Sequence, residues 1–309
     1  VNFEVTILGC GAATPTMRHA PTAQLVNLHD KLFLIDCGEG TQMQLRRYRI
    51  KFQRIHHIFI SHLHGDHYLG LMGLISSMHL LGRTKPLHLF APPAIQRILE
   101  TQFEASETRL NFEIVYHSTD VKERTLLHED RTLRVYGFPL KHRVQCTGFF
   151  FEEKARKLKV TKDVIAEYTL QVHEIVQLKN GEDVIRETGE VLPHETLTVQ
   201  PLPVRSYAFC SDTAYSEKVI EAIQGCSLLY HEATFLEDLK SRAKATFHST
   251  AKEAGMVAAK AGAKKLVIGH FSSRYMDETP LLEEAREAFP DTELAAEGLT
   301  FEPLPKVTH

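Results

Sequence analysis

The stretch IFISHLHGDH, residues 58–67, opens as a strand that wants burial and closes with His62, His64, Asp66 and His67. Neutral imidazole and carboxylate are the nitrogen and oxygen donors that zinc prefers. While the chain stays extended, alternate residues point the same way, so His62 and His64 can reach one ion together. Gly65 then lets the chain turn. Asp66 and His67 are left to face a second ion, or the other side of the first. A polar loop whose histidines happen to cluster is the bland alternative. Four ligand-type side chains at this spacing favour a metal.

Three later strand-like runs end in the same way. GFPLKH places His142 after an apolar run, SYAFCSD places Asp212, and KKLVIGH places His270. Each alone reads as structural, since an aspartate after a strand is a common turn former. Together they repeat one construction, a buried strand that delivers a ligand at its C-terminal end, where α/β folds bind. The combined set of five histidines and two aspartates exceeds one tetrahedral zinc. It suits two zinc ions per chain that share a bridging carboxylate.

Composition narrows the classes. The 309 residues are 43% hydrophobic, with a formal net charge of −3, so no global basic field announces a nucleic acid. Any such partner is held by local patches. The five cysteines are scattered, without a C-x-x-C pair, which opposes both a disulfide framework and a cysteine zinc site. VNFEVTILGCG alternates like a strand and lacks the basic start and apolar core of a signal peptide. No apolar run reaches the roughly eighteen residues of a membrane span. These features predict a cytoplasmic protein with no membrane partner.

Strand-like runs recur at FEVTILG, KLFLID, HIFIS, LHLFA, FEIVYH, RVYGFPL, RSYAFC, SLLYH and KLVIGH. Helical patterns fall at residues 41–48, 68–81 and 249–262, the last with Thr250 and Glu253 spaced as a capping box. The mixture predicts an α/β fold of sheets flanked by helices. One domain spans 1–309. Residues of about 150–200 are charged and weakly periodic, and read as an insertion that projects from the body without a core of its own.

Two more residues belong with the ligands. His248 lies just before the helix cap at Ser249-Thr250, near backbone N–H groups that favour anions. It is placed to give a proton to a leaving oxygen, with Glu232 orienting it; a buried structural pair is the competing reading. Gly9-x-Gly11 after a strand hints at a dinucleotide loop. The third glycine is absent and Pro15 and Pro21 oppose a following helix, so that reading fails.

The order His-x-His-x-Asp-His, lone His, Asp in SDT, then His resembles the metallo-β-lactamase superfamily. ILGCGAATPT, LIDCGEGTQ, SHLHGDH, PLKH, CSDT, HEAT (231–234), FHST (247–250) and GHFSSRY together resemble the short form of the ribonuclease Z family, the tRNA 3′-processing endonucleases. The resemblance covers nearly the whole chain. It implies a metallo-β-lactamase-like αβ/βα sandwich, a di-metal site at one edge, and a homodimer. It assigns His62, His64 and His142 to one zinc and Asp66, His67 and His270 to the other, bridged by Asp212. Asp66 would also accept the proton of the attacking water.

Metals alone do not choose among lactams, thioesters, sulfates and phosphodiesters. LRRYRIKFQR (45–54) and KARKLKVTK (154–162) concentrate positive charge as phosphate contacts require. In the resembling family an arm inserted between the lone His and the bridging Asp grips the tRNA body. The 150–200 segment occupies that place, with Lys154, Arg156, Lys157 and Lys159 at its base. The expected function is a zinc endoribonuclease that removes the 3′ trailer from precursor tRNA. A related hydrolase of small phosphodiesters or aryl sulfates is the first alternative, and a non-catalytic RNA-binding relative the second. The complete ligand set argues against the last.

Overall fold

The computed structural model describes residues 2–201 and 203–303. The chain divides into a larger unit, made from what precedes Glu153 and follows Val204, and a smaller unit, Glu153–Val204. In the larger unit, β1 (Phe3–Gly9), β2 (Ala23–Leu28), β3 (Lys31–Ile35), β4 (Ile55–Phe59), β5 (Leu87–Ala91) and β6 (Ile114–Ser118) come first. Then come β7 (Thr125–Glu129), β8 (Leu133–Pro139) and β9 (Thr147–Glu153). The smaller unit holds the hairpin β10 (Val184–Ile185) and β11 (Val191–Leu192). The chain returns as β12 (Ser206–Cys210), β13 (Leu228–Glu232), β14 (Leu266–Gly269), β15 (Thr292–Leu294) and β16 (Thr300–Phe301).

Two seven-stranded sheets result, in the orders β16-β1-β2-β3-β4-β5-β6 and β15-β14-β13-β12-β9-β8-β7. The first is antiparallel from β16 to β3 and parallel from β3 to β6. In the second, β12 to β15 are parallel. The period of two along a strand sorts the first sheet's side chains. Phe33, Ile35 and Phe59 enter the core between the sheets. Leu32, Leu34 and Ile58 enter a second core, shared with the helices Thr41–Arg47, Leu71–Leu80 and Ala94–Ala105. Aromatic rings join the sheets: Phe151 lies 5.6 Å from Phe33 and 5.5 Å from Phe59, and Phe149 lies 5.3 Å from Phe59. Burying each such ring contributes about 1.5–3 kcal/mol. Both sheets therefore meet face to face, with helices outside.

The structure departs from the sequence reading in three places. β2 pairs with β3 through a two-residue turn, His29-Asp30, with both residues left-handed (φ 54° and 64°). That is the geometry usually supplied by Asn-Gly, so no glycine marks the hairpin. Phe149, Phe150 and Phe151 are buried in β9, because an unbroken apolar run suits a strand covered on both faces. The inserted segment thus starts after them. The smaller unit also has a core, built from Val160, Leu170, Leu178, Val184, Leu192 and Leu197, contrary to the expectation of none. Its apolar residues are spread over short elements, which hid their periodicity. The capping box at 250 forms as read: Thr250 Oγ1 accepts from Glu253 N–H, and Glu253 accepts from Thr250 N–H.

Candidate metal centre

The ligand-type residues all lie at strand ends in the larger unit. β4 leads into His62 and His64, and a short helical turn, Gly65–Tyr68, then carries Asp66 and His67. β8 leads to His142, β12 to Asp212, and β14 to His270. Gly269 before His270 is required by packing, since a Cβ there would collide with the Tyr230 hydroxyl. His270 itself is left-handed (φ 60°), as is Asp36 (φ 54°). Such backbone costs about 1–3 kcal/mol per residue and persists only where the surroundings over-determine it.

Two donor groups assemble. His62, His64, His142 and Asp212 bring one atom each to within 4.8 Å of the others, and Asp66, His67 and His270 do the same. In the first, His64 Nδ1 stands 2.9 Å from His62 Nε2 and 3.3 Å from His142 Nε2. Asp212 Oδ2 faces this group, 3.6 Å from His62 Nε2 and 3.8 Å from His142 Nε2. Asp212 Oδ1 faces the other, 3.4 Å from His67 Nε2 and 3.1 Å from His270 Nε2. Asp66 Oδ2 lies 3.3 Å from His67 Nε2 and 3.5 Å from His270 Nε2. One carboxylate therefore stands between both groups.

These residues fit metal ions. His67 Nε2 and His270 Nε2 are buried without an aligned hydrogen-bond partner, a costly state unless something else takes the lone pair. The other ring nitrogens are tied down. His67 Nδ1 pairs with Asp36 at 2.7 Å, and Asp36 accepts from Ser61 N–H and Oγ–H at 2.7 and 2.8 Å. His142 Nδ1 meets the Phe247 carbonyl at 3.1 Å, and His270 Nδ1 meets Thr234 Oγ1 at 3.0 Å. Partners of this kind fix the tautomer and aim the remaining nitrogen. Burial opposes a charge on His67, but Asp212, Asp36 and Asp66 raise its proton affinity well above the ordinary range. Burial likewise opposes a charge on Asp212, yet His270, His67 and His62 hold it well below the usual carboxylate range. The pocket is built for positive charge.

Glu232, at the end of β13 and fully buried, accepts from Thr213 N–H at 2.8 Å and from the Thr234 hydroxyl at 2.6 Å. Its Oε1 is 2.7 Å from His248 Nδ1. Burial works against a charge on His248, but the Glu232 carboxylate beside it outweighs this and pushes its pKa up to about 9. His248 borders a cleft of about 550 Å³ with His64, Asp66, Asp212 and His270. Arg143, Arg242 and Arg274 also line it.

Lys154, Arg156, Lys157 and Lys159 belong to the smaller unit. Arg156 pairs with Glu153 at 3.3 Å and Lys157 donates to Asn180 at 2.7 Å. Lys159 bridges through its backbone to Val199, and Lys154 is half-buried. Sequence reasoning gave no role to Asp36 or Thr234, although both lie in quoted motifs. An aspartate ending the LFLI strand is the one signal that pointed to Asp36.

The sandwich and its paired donor groups define a metallo-β-lactamase-fold hydrolase. The metallo-β-lactamase fold protein YhfI from Bacillus subtilis superposes with a TM-score of 0.69 at 19% identity, covering 97% of this chain and 99% of that one, which shows the fold. A family model described as anti-Pycsar protein Apyc1 matches residues 3–187. The chain is 49% identical to a ribonuclease Z of Bacteroides fragilis (strain YCH46), covering 96% of this chain and 98% of the relative. It is 46% identical to a ribonuclease Z of Porphyromonas gingivalis (strain ATCC BAA-308 / W83), with the same coverage. The crystal structure of human tRNase Z, short form, matches with a TM-score of 0.71 at 27% identity, over 98% of this chain and 100% of that one. The chain belongs to the ribonuclease Z family, and over residues 3–187 it carries the domain of the matching family model.

If Asp36 aims His67, Asp36→Asn weakens divalent-metal affinity by about 10–100-fold while the fold survives. Competition against a chromophoric chelator measures this. Unchanged affinity would remove Asp36 from the account.

Proposed function

We propose that the chain is a zinc-dependent endoribonuclease that cuts precursor tRNA after the mature 3′ end, freeing the trailer and leaving a 3′-hydroxyl on the tRNA. The single observation that carries this reading is the division of Asp212, whose two oxygens face two donor groups, in a chain aligned along nearly its whole length with ribonucleases Z. His62, His64 and His142 would hold one zinc and Asp66, His67 and His270 the other, with Asp212 shared. When bound, such a pair activates water at neutral pH and neutralises charge on a phosphoryl oxygen.

The chain's own groups supply the rest. Burial opposes a charge on Asp66, but His67 and His270 hold it below the usual carboxylate range, so it stands as a carboxylate beside the donor groups; in this reading it accepts the proton of the attacking water. Ala13 N–H, 2.8 Å from Asp66 Oδ2, fixes that carboxylate. Bond cleavage releases the 3′-oxygen of the tRNA. His248 donates a proton to it through Nε2, because Nδ1 is held by Glu232. Arg143, Arg242 and Arg274 along the cleft complement the phosphate chain. We further read the protein as a cytoplasmic homodimer. No helix among the described residues is long and apolar enough to cross a membrane.

His248 acts in its charged form, so turnover declines as pH rises through its pKa. Glu232→Gln removes the charge that raises this pKa, and the alkaline limb of the pH–rate profile therefore moves to lower pH. His248→Ala keeps its metal but loses about 10²–10⁴ in single-turnover rate. Coincident profiles for Glu232→Gln and the parent, or metal loss in His248→Ala, would show the pair to be structural.

The smaller unit supplies binding energy from a part of the substrate that does not react. Replacing Lys154, Arg156, Lys157 and Lys159 together by Ala is expected to weaken precursor tRNA cleavage strongly and spare hydrolysis of bis-p-nitrophenyl phosphate. Each lost phosphate contact lowers the slope of log affinity against log salt by roughly 0.7–0.9. A variant that cleaves precursor tRNA like the parent, with the same salt slope, contradicts the arm reading and favours an enzyme of small phosphodiesters.

A further inference from the structure

Outside the paired donor groups, Cys10, His19 and Glu297 also bring one ligand atom each to within 4.8 Å of one another. Cys10 follows β1, His19 closes the loop after it, and Glu297 comes from the far end of the chain. Cys10 is fully buried, and the His19 and Glu297 side chains are only 15% and 11% exposed. Cys10 Sγ lies 3.4 Å from His19 Nδ1 and 3.7 Å from Glu297 Oε1, and His19 Nδ1 lies 3.2 Å from Glu297 Oε2.

Those separations, two of them to different oxygens of Glu297, fall within about 0.1 Å of the edges of a coordination tetrahedron. With a metal–sulfur bond of about 2.3 Å and metal–nitrogen or –oxygen bonds of about 2.0–2.2 Å, neighbouring ligand atoms stand about 3.3–3.6 Å apart. The surroundings have the form of an outer shell that orients ligands. Glu278 Oε1 is 3.3 Å from His19 Nε2, which leaves Nδ1 directed at Cys10 and Glu297. Arg18 holds Glu278 at 3.0 Å, and Ala20 N–H donates to Glu297 at 2.9 Å. A buried thiol normally packs among apolar groups. Cys10 belongs to the core between the sheets, yet its sulfur also faces an imidazole, a carboxylate and, at 3.5 Å, the Ala295 carbonyl.

We infer that Cys10, His19 and Glu297 bind a third divalent cation of borderline-soft character, such as Zn²⁺, which clamps the loop of residues 10–20 onto the C-terminal segment. On binding, the Cys10 S–H proton leaves to solvent and the sulfur lone pair makes the bond to the cation. Water completes the tetrahedron. The clamp supports the active cleft indirectly, because this loop carries Ala13, whose N–H donates to Asp66, and Ala12, whose N–H donates to the Phe271 carbonyl at 3.0 Å. The competing arrangement is an imidazolium between two carboxylates, with the thiol a bystander.

Cobalt(II) separates the two. A thiolate ligand gives cobalt a charge-transfer band in the near ultraviolet, and the paired groups offer only nitrogen and oxygen donors. The full chain, stripped with a chelator and kept reduced, is titrated with Co²⁺ alone. The expected result is the band, with three equivalents bound at saturation. Cys10→Ala should lose the band and one equivalent, as should Glu297→Gln if Cys10→Ala does not fold. Cys146→Ala should keep both, and Glu278→Gln should weaken the third equivalent by about 10–100-fold. Saturation of the parent at two equivalents without the band overturns the clamp, whatever the ribonuclease assays show. So does a band that survives in Cys10→Ala.

Discussion

The carboxylate of Asp212 stands between two sets of imidazoles, and each of its oxygens faces a different set. Everything else at the site follows from keeping that arrangement. A buried anion among five histidines is tolerable only if positive charge is supplied, as protons or as metal ions. Four strands converge to place the groups, and the ring nitrogens that do not face the cleft are bound to fixed oxygens. Removing Asp212 would leave His62 and His142 without the carboxylate that faces them, while His67 and His270 would keep Asp66 and, for His67, Asp36.

The sandwich serves this convergence. The Phe33, Phe59, Phe149 and Phe151 rings lock the sheets together, and the loops leaving β4, β8, β12 and β14 then meet along one edge. Asp36 and His270 keep left-handed backbone directly after β3 and β14. Strain at these two positions is consistent with a site whose geometry is set before any ligand arrives. At the His248–Glu232 pair a fully buried glutamate likewise favours the charged form of a histidine that borders the cleft.

Much of this was legible in the sequence because ligands at strand ends repeat one pattern. His62 and His64 share one stretch, whereas His142 and Asp212 lie in two others; each stretch follows an apolar run, and the fold brings the four within reach of one another. Asp36 was not legible as a partner of His67, because a hydrogen bond across 31 residues leaves no periodic trace. The β2–β3 hairpin was missed because His29-Asp30 adopts a turn that usually advertises itself with glycine. The core of the smaller unit was missed because its apolar residues are scattered over elements of two to eight residues. The Cys10–His19–Glu297 cluster was invisible for a different reason: its members lie nine and 278 residues apart or more.

The central claim is that one carboxylate joins two metal ions. Anomalous diffraction at the zinc absorption edge, from crystals of the zinc-loaded protein, tests it most directly. The account predicts two peaks in the cleft, one on each side of Asp212 and about 3.5–4 Å apart. His62, His64 and His142 should surround one, and Asp66, His67 and His270 the other. A single peak in the cleft, or two peaks that do not share Asp212, would contradict it.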